Sequence, residues 1–190
     1  MNERMVRTDG LELAAQSFGN ANRPPTDDEM QRMRLLVSTA MQEGAVGMST
    51  GLIYIPGTYA ATNEVVGLAK ETARFGGVYA SHIRNEGDSV VEAIREAINI
   101  GREAGLPVQI SHFKLPADVA RKIGGAQTTL GKVAAARAAG QEVWIDQYPY
   151  TASSTGLNTM IPDWVFDKGT EEARKRLADP EQLPKILEGM

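Results

Sequence analysis

The sequence predicts an α/β fold, a parallel sheet covered by helices, either a small open doubly wound sheet or about half of a (β/α)₈ barrel. Three observations carry that expectation. Four short apolar runs, rich in β-branched and aromatic residues, recur along the 190 residues. Each follows a helical pattern that ends at a glycine, and their centres lie a little over thirty residues apart, the length of one strand–helix unit. Polar residues crowd the stretches just after the second and fourth runs, where parallel α/β folds place their chemistry.

The elements follow in chain order. Thr26-Asp27-Asp28-Glu29 after Pro24-Pro25 reads as a capping box, opening a helix through Met30, Met33, Leu36, Val37 and Ala40 to Gly44. Ala45-Val46-Gly47-Met48-Ser49 is the first strand. A second helix starts near Thr62 and carries Val65, Val66, Leu68, Ala69 and Ala73 to Gly76-Gly77, after which Val78-Tyr79-Ala80-Ser81-His82 forms the second strand. Ser89 with Glu92 reads as another capping box, for a helix with Val90, Ala93, Ile94, Ala97 and Ile98 on one face. Gly105-Leu106-Pro107 stops it before the strand Val108-Gln109-Ile110-Ser111-His112. An alanine-rich helix from about Thr128 to Ala139 ends at Gly140 and leads into Val143-Trp144-Ile145-Asp146. The chain then divides into an irregular segment 1–22, a strand–helix region 23–166 and a charged helical tail 167–190.

Composition narrows the classes of function. Hydrophobic residues make up 42% and charged residues 23%, enough apolar surface for a core and too little for a disordered chain. Cysteine is absent, which removes disulfides, thiolate ligands and cysteine nucleophiles together. Twenty basic against twenty-four acidic residues leave a net charge of −4 and no basic stripe, so nucleic acid is not an expected partner. The apolar runs are too short to span a membrane, and the start does not read as a signal peptide, so a cytoplasmic location is expected.

Only two histidines occur, and both close an apolar strand in the same context, Ser-His, thirty residues apart. That places His82 and His112 at neighbouring strand ends, where two neutral imidazoles make good ligands for Zn²⁺. The polar loop after His82 holds Arg84 and Glu86, which orient a substrate or a ligand's partner, or else form a solvated turn. Lys114 is either a surface lysine or an ammonium near the same mouth, suited to a carboxylate. The cluster from Asp146 through Tyr148, Tyr150 and Ser154 to Gly156 offers hydroxyls to a polar ligand or closes turns. Tyr54 sits in a second tyrosine-bearing loop after the first strand.

Four stretches together resemble the N-acyl-D-amino-acid deacylases, a metal-dependent family of the amidohydrolase superfamily. They are Gly44–Tyr54, Tyr79–Gly87, Gln109–Lys114 and Asp146–Tyr150, within a match over residues 22 to 166. The resemblance implies a partial (β/α)₈ barrel of the metal-dependent hydrolase type, with about four strand–helix units. It implies that His82 and His112 are Zn²⁺ ligands, that Tyr54 lines the substrate pocket, and that Lys114, Tyr148 and Ser154 lie near the substrate carboxylate, with Arg84 as a further substrate-binding candidate. The implied reaction hydrolyses the amide of a small-molecule N-acyl-D-amino acid, releasing a carboxylic acid and a D-amino acid. The family's His-x-His pair, its bridging ligand and its catalytic aspartate have no counterpart here; the aspartate is expected beyond Met190. The chain therefore reads as an internal or truncated piece, inactive by itself, whose unpaired sheet edges favour self-association. A related amidohydrolase acting on a cyclic amide or dipeptide, and a non-catalytic half-barrel that binds a partner, are the alternative expectations.

Overall fold

A computed structural model describes residue 19 and residues 21–190. The expected irregular segment 1–22 thus lies almost wholly outside the described residues. Eleven α-helices and β-strands follow in order among the described residues: α1 (Asp27–Gln42), β1 (Gly47–Gly51), α2 (Thr62–Ala73), β2 (Val78–His82), α3 (Val90–Ala104), β3 (Val108–Ile110), α4 (Ala117–Ile123), α5 (Ala126–Ala138), β4 (Val143–Ile145), α6 (Thr170–Ala178) and α7 (Leu183–Glu188).

The four strands pair in parallel, in the order β1-β2-β3-β4. That order decides the architecture. Parallel crossovers share one hand, so a sheet that always grows in the same direction sets every crossover helix on the same face. A doubly wound sheet needs a reversal of direction to place helices on both faces, and none occurs here. Helices α1 and α2, α2 and α3, and α3 and α5 pack side by side on that single face. The arrangement is that of a partial (β/α)₈ barrel, with the opposite sheet face turned toward the barrel axis.

Alternation along the strands sorts the side chains between the faces. Tyr79, Val108, Ile110 and Val143 point to the helices and are fully buried with Met33, Val37, Ile94 and Ile100. Val78 and Trp144 face the other way and are 37% and 55% exposed. The Tyr79 hydroxyl reaches Thr50 Oγ1 at 2.8 Å and donates to Ser81 Oγ at 3.3 Å, and burial pushes its pKa up to about 12.

The first capping box forms as expected. Thr26 Oγ1 accepts from the Glu29 amide at 3.3 Å, and Glu29 accepts from the Thr26 amide at 2.7 Å. The Arg23 guanidinium on both Glu29 oxygens, followed by the Thr26 amide, holds that carboxyl down at about 2. The second box does not form, because Ser89 makes no side-chain cap. Asn85 Oδ1 instead accepts from the amides of Gly87 and Ser89, so the loop itself delivers the chain to α3. Helix α4 was not anticipated; it is a seven-residue turn of chain stopped by Gly124 in the left-handed region.

The C-terminal elements build a second small core from Val165, Ala173 and Ile186. Arg176 ties it together by donating to the carbonyls of Trp164, Val165 and Asp167. Asp163 joins this unit to the barrel by accepting, through Oδ2 and its backbone carbonyl, from the hydroxyls of Thr58 and Tyr59. No described helix is long and apolar enough to cross a membrane.

Candidate metal centre

Both histidines stand at the carboxyl rim of the sheet, but not by the same route. His82 is the last residue of β2, and strand alternation aims it at the open face, paired in register with Gly51. His112 lies two residues past Ile110, the end of β3. Continued alternation would send it to the helix face with Ile110. The chain turns instead, with His112 at φ 38°, in the left-handed region. The equivalence suggested by the repeated Ser-His is therefore one of sequence only.

The turn brings His112 Nε2 to 2.6 Å from His82 Nδ1, within a part-buried contact. Glu86, four residues after His82, comes to 3.0 Å from His112 Nδ1 and 3.9 Å from His82 Nε2. It also accepts the Lys114 ammonium, which lies 3.1 Å from His112 Nδ1. Burial, then the neighbouring charge on His112, pushes the His82 pKa down to about 4; Lys114 adds to that lowering and Glu86 opposes it. His82 is consequently neutral at neutral pH, with a lone pair free to coordinate.

Aromatic rings wall the site. Tyr54 lies 4.9 Å from the His82 ring, centroid to centroid. It packs on β1, where a Cβ at Gly51 would sit 2.9 Å from Tyr54 Cδ2, so only glycine lets the ring lie this close. Tyr148 stands 6.4 Å from the His112 ring and under the Lys114 ammonium at 5.7 Å. These side chains, with Glu86, Ser154 and Thr155, line a cavity of about 450 Å³, and Tyr54 reaches across it to Thr155 Oγ1 at 3.4 Å.

Six of the seven candidate residues thus share one cavity: Tyr54, His82, His112, Lys114, Tyr148 and Ser154. Arg84 does not. Its guanidinium turns away to clasp Glu96 through two hydrogen bonds of 2.8 Å, and to hold the carbonyls of Thr58 and Ala60. Arg84 fastens the loop after β1 to α3, and with every donor arm engaged it offers little to a substrate.

Glu86 is the site residue that sequence reasoning left in the balance. Its signal was the four-residue offset from His82, which in a loop becomes meaningful only once the loop's path is known. His82, Glu86 and His112 offer one ligand atom each within 4.8 Å of one another. Imidazole nitrogens and a carboxylate are the donor set a zinc-type divalent ion takes, so the residues present fit a metal.

No protein-family model matches the chain. The D-aminoacylase of Alcaligenes xylosoxydans xylosoxydans is 41% identical over 145 residues, 76% of this chain and 29% of that protein. A D-aminoacylase crystal structure, described as defining a novel subset of amidohydrolases, is 40% identical over 74% of this chain and 29% of its own, with a TM-score of 0.69. The N-acyl-D-glutamate deacylase of Bordetella bronchiseptica, solved with zinc and a phosphonate mimic of the tetrahedral intermediate, is 38% identical, with the same coverage and TM-score. The chain spans under a third of the length of these relatives.

Proposed function

The chain is a relative of the N-acyl-D-amino-acid deacylases among the amidohydrolases, and from that premise we propose that it forms part of a zinc-dependent site hydrolysing the amide of N-acyl-D-amino acids. The products are a carboxylic acid and a free D-amino acid. The observation that carries the proposal is the meeting of His82 Nδ1 and His112 Nε2 at the mouth of one cavity, with an ammonium behind them.

His82 and His112 hold the metal in this reading, through the two nitrogens that face each other. A bound divalent ion supplies Lewis acidity toward the amide carbonyl and lowers the pKa of a water to about 7. The remaining work belongs to side chains. Glu86 Oε1 lies 3.0 Å from His112 Nδ1 and accepts from Lys114, so it would help set that ring while Nε2 is left for the ion. Lys114, flanked by Tyr148 and Ser154, takes the α-carboxylate of the substrate, exchanging part of its contact with Glu86 for it. Tyr54 shields the reacting amide from bulk water on the opposite wall. Two imidazoles alone do not complete a catalytic zinc site, which takes three protein ligands. Further ligands and the proton-handling carboxylate fall to barrel segments outside the matched third of the relatives.

Equilibrium dialysis against Zn²⁺, run beside the His82→Ala and His112→Ala variants, tests the reading. One zinc per chain is expected, lost in both variants. A chain that takes up no zinc, or whose uptake ignores both substitutions, overturns it. Selective binding of an N-acetyl-D-amino acid over its L-enantiomer by the zinc-loaded chain tests the substrate class.

A further inference from the structure

We propose that Asp146 is a positioning residue: by holding the chain turn at His112, it swings that imidazole from the helix face of the sheet to the rim where it meets His82. The inference rests on the reading of His82 and His112 as a ligand pair, and concerns what makes them a pair.

By alternation, Gln109 and Ser111 belong to the open face, while Ile110 and the position of His112 belong to the buried one. Only the left-handed turn at His112, φ 38°, breaks that sequence. For a residue with a Cβ, this conformation is unfavourable by about 1 kcal/mol or more and persists only where its surroundings impose it.

Asp146, the residue after β4, supplies the imposition. Its Oδ1 accepts from the His112 amide at 2.6 Å, and its backbone carbonyl accepts from the Phe113 amide at 2.7 Å. Its own amide donates to the Ile110 carbonyl at 3.3 Å, extending the β3–β4 ladder up to the turn. Its Oδ2 accepts from Gln109 Nε2 at 2.7 Å, which orients the carboxylate toward β3. Three consecutive groups of the turn are thus gripped by one residue. A charge-assisted bond to a backbone amide is the strong kind, and no other described side chain bonds the His112 amide.

The chain has only two histidines, so a proton spectrum shows two imidazoles and any contact between them can be assigned without ambiguity. In the metal-free chain, a nuclear Overhauser effect between the His82 and His112 rings is expected. It should vanish in Asp146→Ala and return in Asp146→Asn, which keeps the acceptor oxygen. The zinc dissociation constant, read by competition with a chromophoric chelator, should rise at least tenfold in Asp146→Ala and stay within about threefold in Asp146→Asn. Should Asp146→Ala not fold by far-ultraviolet circular dichroism, Asp146→Ser serves. Serine keeps a polar group at the sheet edge but cannot span His112 and Gln109 together.

An unchanged ring contact in the folded Ala or Ser variant overturns the proposal, as does equal loss in Ala and Asn. If the unsubstituted chain binds no zinc, the metal reading fails, while the ring contact still decides the role of Asp146.

Discussion

The imidazole of His112 stands edge-on to that of His82, with ring centroids 4.2 Å apart and planes at 71°. One ring therefore presents a nitrogen to the other across 2.6 Å, a distance that one shared proton satisfies. The geometry gives the metal-free chain a defined state of its own, with consequences for stability as well as for binding.

Zinc should stabilise the fold through these two rings. Ligand present at a hundred times its dissociation constant adds about 2.7 kcal/mol, and a protein of this size gains about 2–4 °C in melting temperature per kcal/mol. A thermal melt with and without Zn²⁺ checks this. The shift should disappear in His112→Ala.

Acid should destabilise the metal-free chain through His82. The folded pKa of about 4 lies below the ordinary value of 6.5, so between those limits the unfolded chain binds more protons than the folded one. Stability then rises with pH across this window. The His82 contribution is complete above about pH 6.5 and lost progressively as pH falls toward 4. Urea unfolding at pH 7.5 and 4.5 measures the difference, and His82→Gln should flatten it.

Lys114→Met should weaken binding of an N-acetyl-D-amino acid by about tenfold, the loss of a hydrogen bond between charged groups. The corresponding amide, which lacks the carboxylate, should be held equally by both forms. Calorimetry on the zinc-loaded protein separates the two. Equal losses for acid and amide would reassign Lys114 to the support of Glu86.

Glu96→Ala should cost about 2 kcal/mol, because it strands the half-buried Arg84 guanidinium. The loss belongs to the loop after β1 and to α3, which Arg84 joins. Denaturant unfolding should show it, while zinc affinity stays within about twofold. A large fall in zinc affinity would return Arg84 to the binding site.

Much of this was legible in the sequence, for reasons that differ residue by residue. Glycine-ended amphipathic helices and β-branched runs fixed four strands to within about two residues, since both patterns are local. Thr26 and Glu29 gave a capping box that forms because Pro24-Pro25 leaves the cap residues free of a preceding helix. Ser89 and Glu92 show the same spelling without the structure, because Asn85, outside the motif, already accepts from the Ser89 amide that Glu92 would take. The choice between an open sheet and a barrel needed strand order, which no single segment encodes. Lys114 and Tyr148 could be placed near one mouth from their offsets past each strand, whereas Arg84, with an equally good offset, turned away because Glu96 lies twelve residues on along a neighbouring helix.

The helices' confinement to a single side of the sheet divides the connections into two populations with different freedoms. Those at Gly76-Gly77, Gly105–Pro107 and Gly140 lie at the amino ends of the strands, remote from the histidines, and can lengthen or shorten without disturbing them. The segments 83–89 and 147–160 border the cavity, so changes in them alter what enters while His82, on the paired backbone of β2, and His112, held by Asp146, keep their places. Substrate range in such a scaffold can drift by loop replacement alone, independently of the chemistry beneath.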